Sequence, residues 1–594
     1  MSLSCLNPNP RIASPPLAAA ESEDWIWSGA DVLPGTHDRA IIRLSRGGSD
    51  AVVLREFDLR TRSFVPSGFV LPEAKGSTAW ADADSLLLAS ALGDGQATKS
   101  GYARTVRLWR RGQDPLAAPA IFETGVDSIG VDAGMDYDNH RGPFAFIERI
   151  GFFDMRIWLG GPEGKRVQVP VPTDAWCWVH RGWVAVRPRT PWRTGRTTHE
   201  AGTLLGIGFE ALMAGETDFT TLFTPGPRRA LSGFHWVDGK LVVHALDDLR
   251  PEAIVFTPGE WTSRAMPGLP KVGVAGIWRL DAEEHESDGS LLFSVSDPVT
   301  PPTLMLTDTD LAAPEVLKRA PAVFNPAGLV VRRHDAVSAD GTRVPYVQVG
   351  PATETGEAPV HMTGYGGFGV SDTPAYRGGI GKLWLERGGT TVTANLRGGG
   401  EFGPEWHEAG RREGKARSHD DFAAVAADLV RRGVTSPGRI AAEGGSNGGL
   451  LITNMLTRYP DRFGALFCTI PLIDMRRYHR LLAGASWIDE YGDPDKPEDW
   501  EFLRDISAYH QAAAEPKYPP ILLATTRRDD RVHPGHARKM AAKLQALGQP
   551  AWFYELEGGG HGYGRTNRER AFFTALGYSF LRTAIGWNTA TNFP

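Results

Sequence analysis

The chain has 594 residues, too many for one ordinary domain, so two are expected on length alone. Its formal net charge is −6 and it has no block of lysine or arginine, which argues against a nucleic-acid partner. Cysteines at 5, 177 and 468 are too few and too scattered for a disulfide framework or a zinc site, so no metal or other cofactor is expected; no stretch reaches the about 18 apolar residues of a membrane span.

Residues 1–24 form a short Pro/Ala-rich tail, expected to be disordered. It lacks the apolar core of a signal peptide, which points to the cytoplasm, or to the periplasm if this start is a truncated one. From 25 to 325, short β-branched and aromatic runs such as 40–44, 51–57, 85–88, 144–147, 156–159, 240–244 and 290–294 alternate with Gly, Pro, Asp and Asn turns. Many short strands over this length imply a closed all-β architecture, and a propeller of four-stranded blades fits it. No repeat recurs cleanly enough to count the blades. At Pro326-Ala-Gly328 the texture changes, and from 326 to 594 strand alternates with helix: strand-like 390–394, helical 420–430, strand-like 465–468 and 521–526, helical 572–581. Buried β runs with helices between them predict a mostly parallel, doubly wound sheet covered on both faces.

Within that half, Gly-Gly-Ser446-Asn447-Gly-Gly lies directly between a strand-like run ending at Glu443 and a helical run from Leu450. A serine hydroxyl is a poor nucleophile unless a strained turn holds it proud of the backbone beside a base, and only very small neighbours permit that turn, hence Gly444 and Gly448 around Ser446. In α/β-hydrolases an acid and then a histidine follow the serine in the chain, each on a loop after a later strand. Here 521–526 runs into Asp529-Asp530-Arg531-Val532, and 552–556 runs into Gly-Gly-Gly-His561-Gly. A histidine set among glycines has few neighbours to pack against, which favours a catalytic over a core role. His561 would take the Ser446 proton and hand it to the leaving group, with an aspartate of the Asp529-Asp530 pair fixing its tautomer.

The motifs Gly364-Tyr365-Gly-Gly-Phe368, Asn395-Leu-Arg397-Gly-Gly-Gly-Glu401-Phe-Gly, Gly-Gly-Ser446-Asn447-Gly-Gly, Ser486-Trp487-Ile-Asp-Glu-Tyr491-Gly, Asp529-Asp-Arg531-Val532 and Gly-His561-Gly stand in one order. On them, the chain from about 325 onward closely resembles the catalytic domain of the prolyl oligopeptidase family of serine peptidases. The resemblance implies that Asp529, the first aspartate of its run, is the triad member. It makes Tyr365 and the backbone N–H of Asn447 the oxyanion donors. It has Trp487 stack on a substrate proline ring, with Phe368, Tyr491, Leu472 and Val532 closing an apolar S1 pocket, and Arg531 bind a substrate backbone carbonyl. For the first half, where the match is looser, it implies seven blades.

The expected activity is that of a serine oligopeptidase, cutting short proline-containing peptides on the carboxyl side of proline through an acyl-enzyme. The residues alone leave open the same machinery used on another bond, as an esterase, an isopeptidase or a peptidase of other specificity, because fold and triad do not fix the substrate. An inactive propeller scaffold is the remaining alternative, and the full set of site residues argues against it. Oligomeric state is not legible. One departure stands out: family members carry a helical N-terminal segment packed on the catalytic domain, and residues 1–24 show nothing similar, through either a naturally short gene or a truncated start.

Overall fold

The structure is a computed structural model that describes residues 21, 23–136, 144–281, 283 and 287–587. The tail expected at 1–24 lies, for residues 1–20 and 22, outside the described residues. Glu21, Glu23 and Asp24 are placed, and they pair with Arg55, Arg46 and Arg565 respectively.

The short strands of the first half assemble into six antiparallel sheets, as propeller blades. The first runs from Trp25–Val32 through Arg39–Arg46 to Val52–Asp58, whose partners are both Ser63–Phe64 and Val70–Ala74. The second spans 76–123, the third 130–168, the fourth 176–223, the fifth 229–265 and the sixth 274–319. Alternating side chains give each blade two apolar faces, so neighbouring blades bury them against each other. Five clusters do this in turn; Trp80 and Leu88 with Ile41 and Leu54 join the first two sheets, and Ile277 and Phe293 with Val242 and Val255 join the last two. Between the sixth sheet and the first the contact is polar, with Glu283 accepting from the Gly35 N–H at 2.9 Å and bonding His37 at 2.6 Å. The expectation of seven blades is therefore corrected to six among the described residues. The first sheet carries a fifth strand and the fourth an inserted hairpin, 192–199, so a blade here takes about 50 residues rather than the 40–45 of a common repeat, and the described strands fill six blades where the resemblance implied seven.

The second half forms one eight-stranded sheet. Its strands are β1 (Leu329–Val337), β2 (Arg343–Pro351), β3 (Val360–Gly364), β4 (Thr390–Ala394), β5 (Ile440–Gly445), β6 (Ala465–Thr469), β7 (Ile521–Thr526) and β8 (Ala551–Leu556), in spatial order β1-β2-β4-β3-β5-β6-β7-β8. The first two pairings, β1 to β2 and β2 to β4, are antiparallel, and the other pairings are parallel. Ile440, Ala442, Leu466, Cys468, Ile521 and Leu523 face one layer of helices: α1 (Lys415–Arg431), α2 (Asn447–Arg458) and α3 (Gly535–Ala546). Ala441, Phe467, Leu522 and Ala524 face the other, built on α4 (Asn567–Ala584). Both faces of each central strand are buried, which is why these runs read as continuously apolar. The carboxyl ends of β5, β7 and β8 then deliver the loops that carry the candidate site. Among the described residues no helix is long and apolar enough to cross a membrane.

Candidate functional site

Ser446 sits between the last residue of β5 and the first of α2 with φ 58° and ψ −117°, a conformation that a residue with a side chain adopts only under constraint. The turn is so tight that a Cβ on Gly444 would lie 2.4 Å from the carbonyl oxygen of Gly448. Three residues past β7, Asp529 is fully buried, and its Oδ2 lies 2.7 Å from His561 Nδ1. Its Oδ1 accepts the backbone N–H groups of Arg531 at 3.0 Å and Val532 at 2.9 Å. With Oδ1 occupied and Oδ2 on Nδ1, the carboxylate orients the imidazole and leaves Nε2 as the nitrogen free to exchange a proton. Behind His561, the Gly560 carbonyl accepts the Thr526 hydroxyl.

Burial pushes the Tyr365 hydroxyl up to about 12, although the neighbouring Ser446 works the other way. At neutral pH Tyr365 is therefore a donor. Asn447 binds its backbone, since Nδ2 donates to the Tyr365 carbonyl at 2.6 Å while Oδ1 accepts the Tyr491 hydroxyl at 2.7 Å. As the first residue of α2, Asn447 keeps its own N–H outside the helical ladder.

Ser446, His561, Tyr365 and Asn447 line one cavity of about 830 Å³ between the propeller and the hydrolase sheet. Trp487, Phe368, Tyr491, Leu472 and Val532 line it too and belong to one apolar cluster, in which the Phe368 and Tyr491 rings meet edge to face at 5.5 Å. Asp529 lies off the cavity wall, behind His561.

Arg531 also lines the cavity, but its guanidinium is bound by Asp50 of the first blade, with Nε to Oδ2 at 2.9 Å and Nη2 to Oδ1 at 2.8 Å. Burial pulls the Asp50 carboxyl up, yet Arg531 outweighs it and holds it below the usual carboxylate range. Asp530 turns to the propeller as well, accepting the N–H groups of Asp50 at 2.7 Å and Ala51 at 3.1 Å. Sequence reasoning missed the propeller's share of this wall: Asp50, Lys75, Tyr102, Arg149 and Phe152. The Phe152 ring packs at 5.0 Å on Phe368, and its N–H donates to Asp489 at 2.7 Å. All but Arg149, the last residue of the strand Phe144–Arg149, lie in turns or bends, and no motif surrounds any of them, so no local signal marks them. A group of possible metal ligands, His479, Asp493 and Asp495, lies outside this cavity, and its Asp495 carboxylate is already held by Arg480 at 2.8 and 2.9 Å.

The sequence profile of the prolyl oligopeptidase family matches residues 379–587. Over 578 residues the chain is 36% identical to an uncharacterized peptidase, y4nA, of Sinorhizobium fredii, an alignment covering 95% of this chain and 79% of the relative. It is 35% identical over 324 residues to a prolyl endopeptidase of Elizabethkingia miricola, covering 54% of this chain and 45% of that one. Among solved structures, a post-proline cleaving enzyme from Rickettsia typhi superposes with a TM-score of 0.90 at 26% identity, over 96% of this chain and 85% of that chain.

Proposed function

Because this chain belongs to the prolyl oligopeptidase family and is a serine peptidase, we propose that it hydrolyses short peptides on the carboxyl side of proline, with Ser446, His561 and Asp529 as its triad. The observation that carries the proline preference is the apolar slot of Trp487, Phe368, Tyr491, Leu472 and Val532 on the same cavity wall as Ser446. A flat indole suits the rigid five-membered ring, giving broad contact at little entropic cost. In the reaction, His561 Nε2 takes the Ser446 proton as Oγ attacks the scissile carbonyl, and Asp529 stabilises the imidazolium that forms. The Tyr365 hydroxyl and the Asn447 N–H receive the developing oxyanion; His561 then protonates the leaving amine, and water repeats the cycle on the acyl-enzyme. A cavity roofed by the propeller admits flexible peptides and excludes folded proteins.

The test is a series of chromogenic peptides that differ only at the scissile residue, assayed on the wild type and on Trp487→Ala. Proline should be preferred over alanine. The variant should lose roughly 1 to 3 kcal/mol of transition-state binding on proline substrates and much less on alanine substrates. Equal turnover of proline and alanine peptides by the wild type would overturn the reading, and equal fractional losses in the variant would make the indole structural.

A further inference from the structure

Glu490, Lys415 and His407 are each buried to within 1% of full coverage, directly beneath the loop 364–368 that carries Tyr365. Glu490 Oε1 accepts the Phe368 N–H at 3.0 Å and the Lys415 ammonium at 2.7 Å. Lys415 donates in turn to the Gly366 carbonyl at 2.9 Å, so the backbone is gripped on both sides of Gly367. That residue must be glycine: a Cβ there would lie 2.6 Å from Asn447 Nδ2 and 2.8 Å from Lys415 Nζ. Together with the bond from Asn447 to the Tyr365 carbonyl, three consecutive groups of this loop are fixed from below.

The other oxygen of Glu490 leads to the propeller. His407 Nε2 lies 2.7 Å from Glu490 Oε2, and His407 Nδ1 is bonded by the guanidinium of Arg189, a residue of the fourth blade. Arginine can only donate, so Nδ1 is the acceptor and Nε2 carries the proton that Glu490 receives. Burial acts in the same sense, holding His407 below its ordinary value and hence neutral. For Glu490, burial alone would raise the carboxyl, but Lys415 and His407 outweigh it and keep it ionised, at about 2.

We infer that Glu490 is a positioning residue for acyl transfer: through Lys415 and the Phe368 N–H it fixes the loop that aims the Tyr365 hydroxyl, and through His407 and Arg189 it ties that loop to the docked propeller. A buried charge held by three partners costs stability if one of them is lost, and it returns rigidity where a displacement of about 1 Å lowers the rate on the order of 100-fold. The inference rests on the reading of Tyr365 as an oxyanion donor.

A double-mutant cycle of Glu490→Gln and Tyr365→Phe separates the two. Turnover is measured per active site, counted by the stoichiometry of a serine-directed phosphonylating reagent, so that a misfolded fraction does not enter the rate. Tyr365→Phe should lose roughly 100- to 1,000-fold in kcat. Glu490→Gln should lose roughly 10- to 100-fold with little change in KM, and should cost little more once Tyr365 is already phenylalanine. If Glu490→Gln does not fold, Arg189→Met at the propeller end of the chain takes its place in the same cycle, with a smaller loss and the same non-additivity. Wild-type turnover in Tyr365→Phe sinks the oxyanion reading itself. A slow Tyr365→Phe beside a normal Glu490→Gln, or losses that multiply in the double variant, sinks only the positioning role.

Discussion

Behind the hydrolase wall of the cavity, Asp529, Glu490 and Lys415 are fully buried and each charge meets two or more partners, whereas Asp50, Lys75 and Phe152 on the facing wall come from turns of the first three blades and keep part of their surface in water. The difference follows from what each wall must do. Charge that develops during acyl transfer is stabilised best by dipoles already fixed and dry, which the hydrolase loops supply. A peptide must also get in, so the contacts that close the cavity have to open on the timescale of turnover. Ion pairs rimmed by water, worth about 0 to 1 kcal/mol each, allow that.

The hardest test of the hydrolase wall is Ser446→Ala. The proposed nucleophile contributes one hydroxyl to the fold and the whole covalent step to the reaction, so hydrolysis should fall on the order of 10⁴-fold or more while the melting temperature barely moves. A phosphonylating reagent should label Ser446 and no other serine. Retained activity in the variant, or labelling elsewhere, would remove the chemistry from this wall.

Glu401 breaks the rule of paired burial on the hydrolase side and offers the next largest effect. It is 1% exposed; its Oε1 takes the Asp372 N–H at 2.8 Å and Asn395 Nδ2 at 3.3 Å, no cation faces it, and Oε2 has no partner among the described residues. Burial, with Asp372 nearby, raises the carboxyl to about 8, against about 4.3 for an ordinary glutamate. Between those two values the folded protein keeps a proton that the unfolded chain has lost, so stability falls as pH rises from about 4.3 to about 8. Glu401→Gln, neutral at every pH, should therefore gain a few kcal/mol on the wild type between pH 5 and pH 9, read from thermal midpoints at the two values. A midpoint difference that does not grow with pH would mean the carboxyl is ionised in the fold and partnered after all.

What the sequence disclosed divides along the same line. The elbow at Ser446, the order of acid and histidine, and the strands of the hydrolase sheet are local: glycines three to five residues apart and continuous apolar runs record them. The choice of Asp529 over Asp530 needed the resemblance, because both follow β7; the structure separates them by direction, one toward His561 and the other toward the Asp50 N–H. The propeller wall was illegible for a physical reason. Asp50 and Arg531 are 481 positions apart and Phe152 and Asp489 are 337 apart, and such pairings leave no periodicity in the chain. Glu490 was visible inside its motif, but its partners Lys415 and His407 stand 75 and 83 positions away, so its link to Tyr365 exists only in the folded protein.

The smallest expected effect probes the propeller wall at Asp50. Its backbone N–H stays on Asp530 in Asp50→Ala, so the substitution removes only the ion pair with Arg531, whose two side chains are 24% and 45% exposed. A pair so wetted holds the domains together by about 0 to 1 kcal/mol, and it also occupies a guanidinium that would otherwise be free to meet a substrate carbonyl. If opening limits turnover, Asp50→Ala should raise kcat/KM by a few-fold at low ionic strength. Salt should erase the difference, because at 1 M the screening length of about 3 Å is comparable to the pair itself and the wild type loses its latch too. The assay is kcat/KM on one proline peptide at low and high salt for both proteins. A variant slower than the wild type at low salt would show that the pair orders the cavity rather than restraining its opening, and would move this part of the propeller wall to the preorganised side of the comparison.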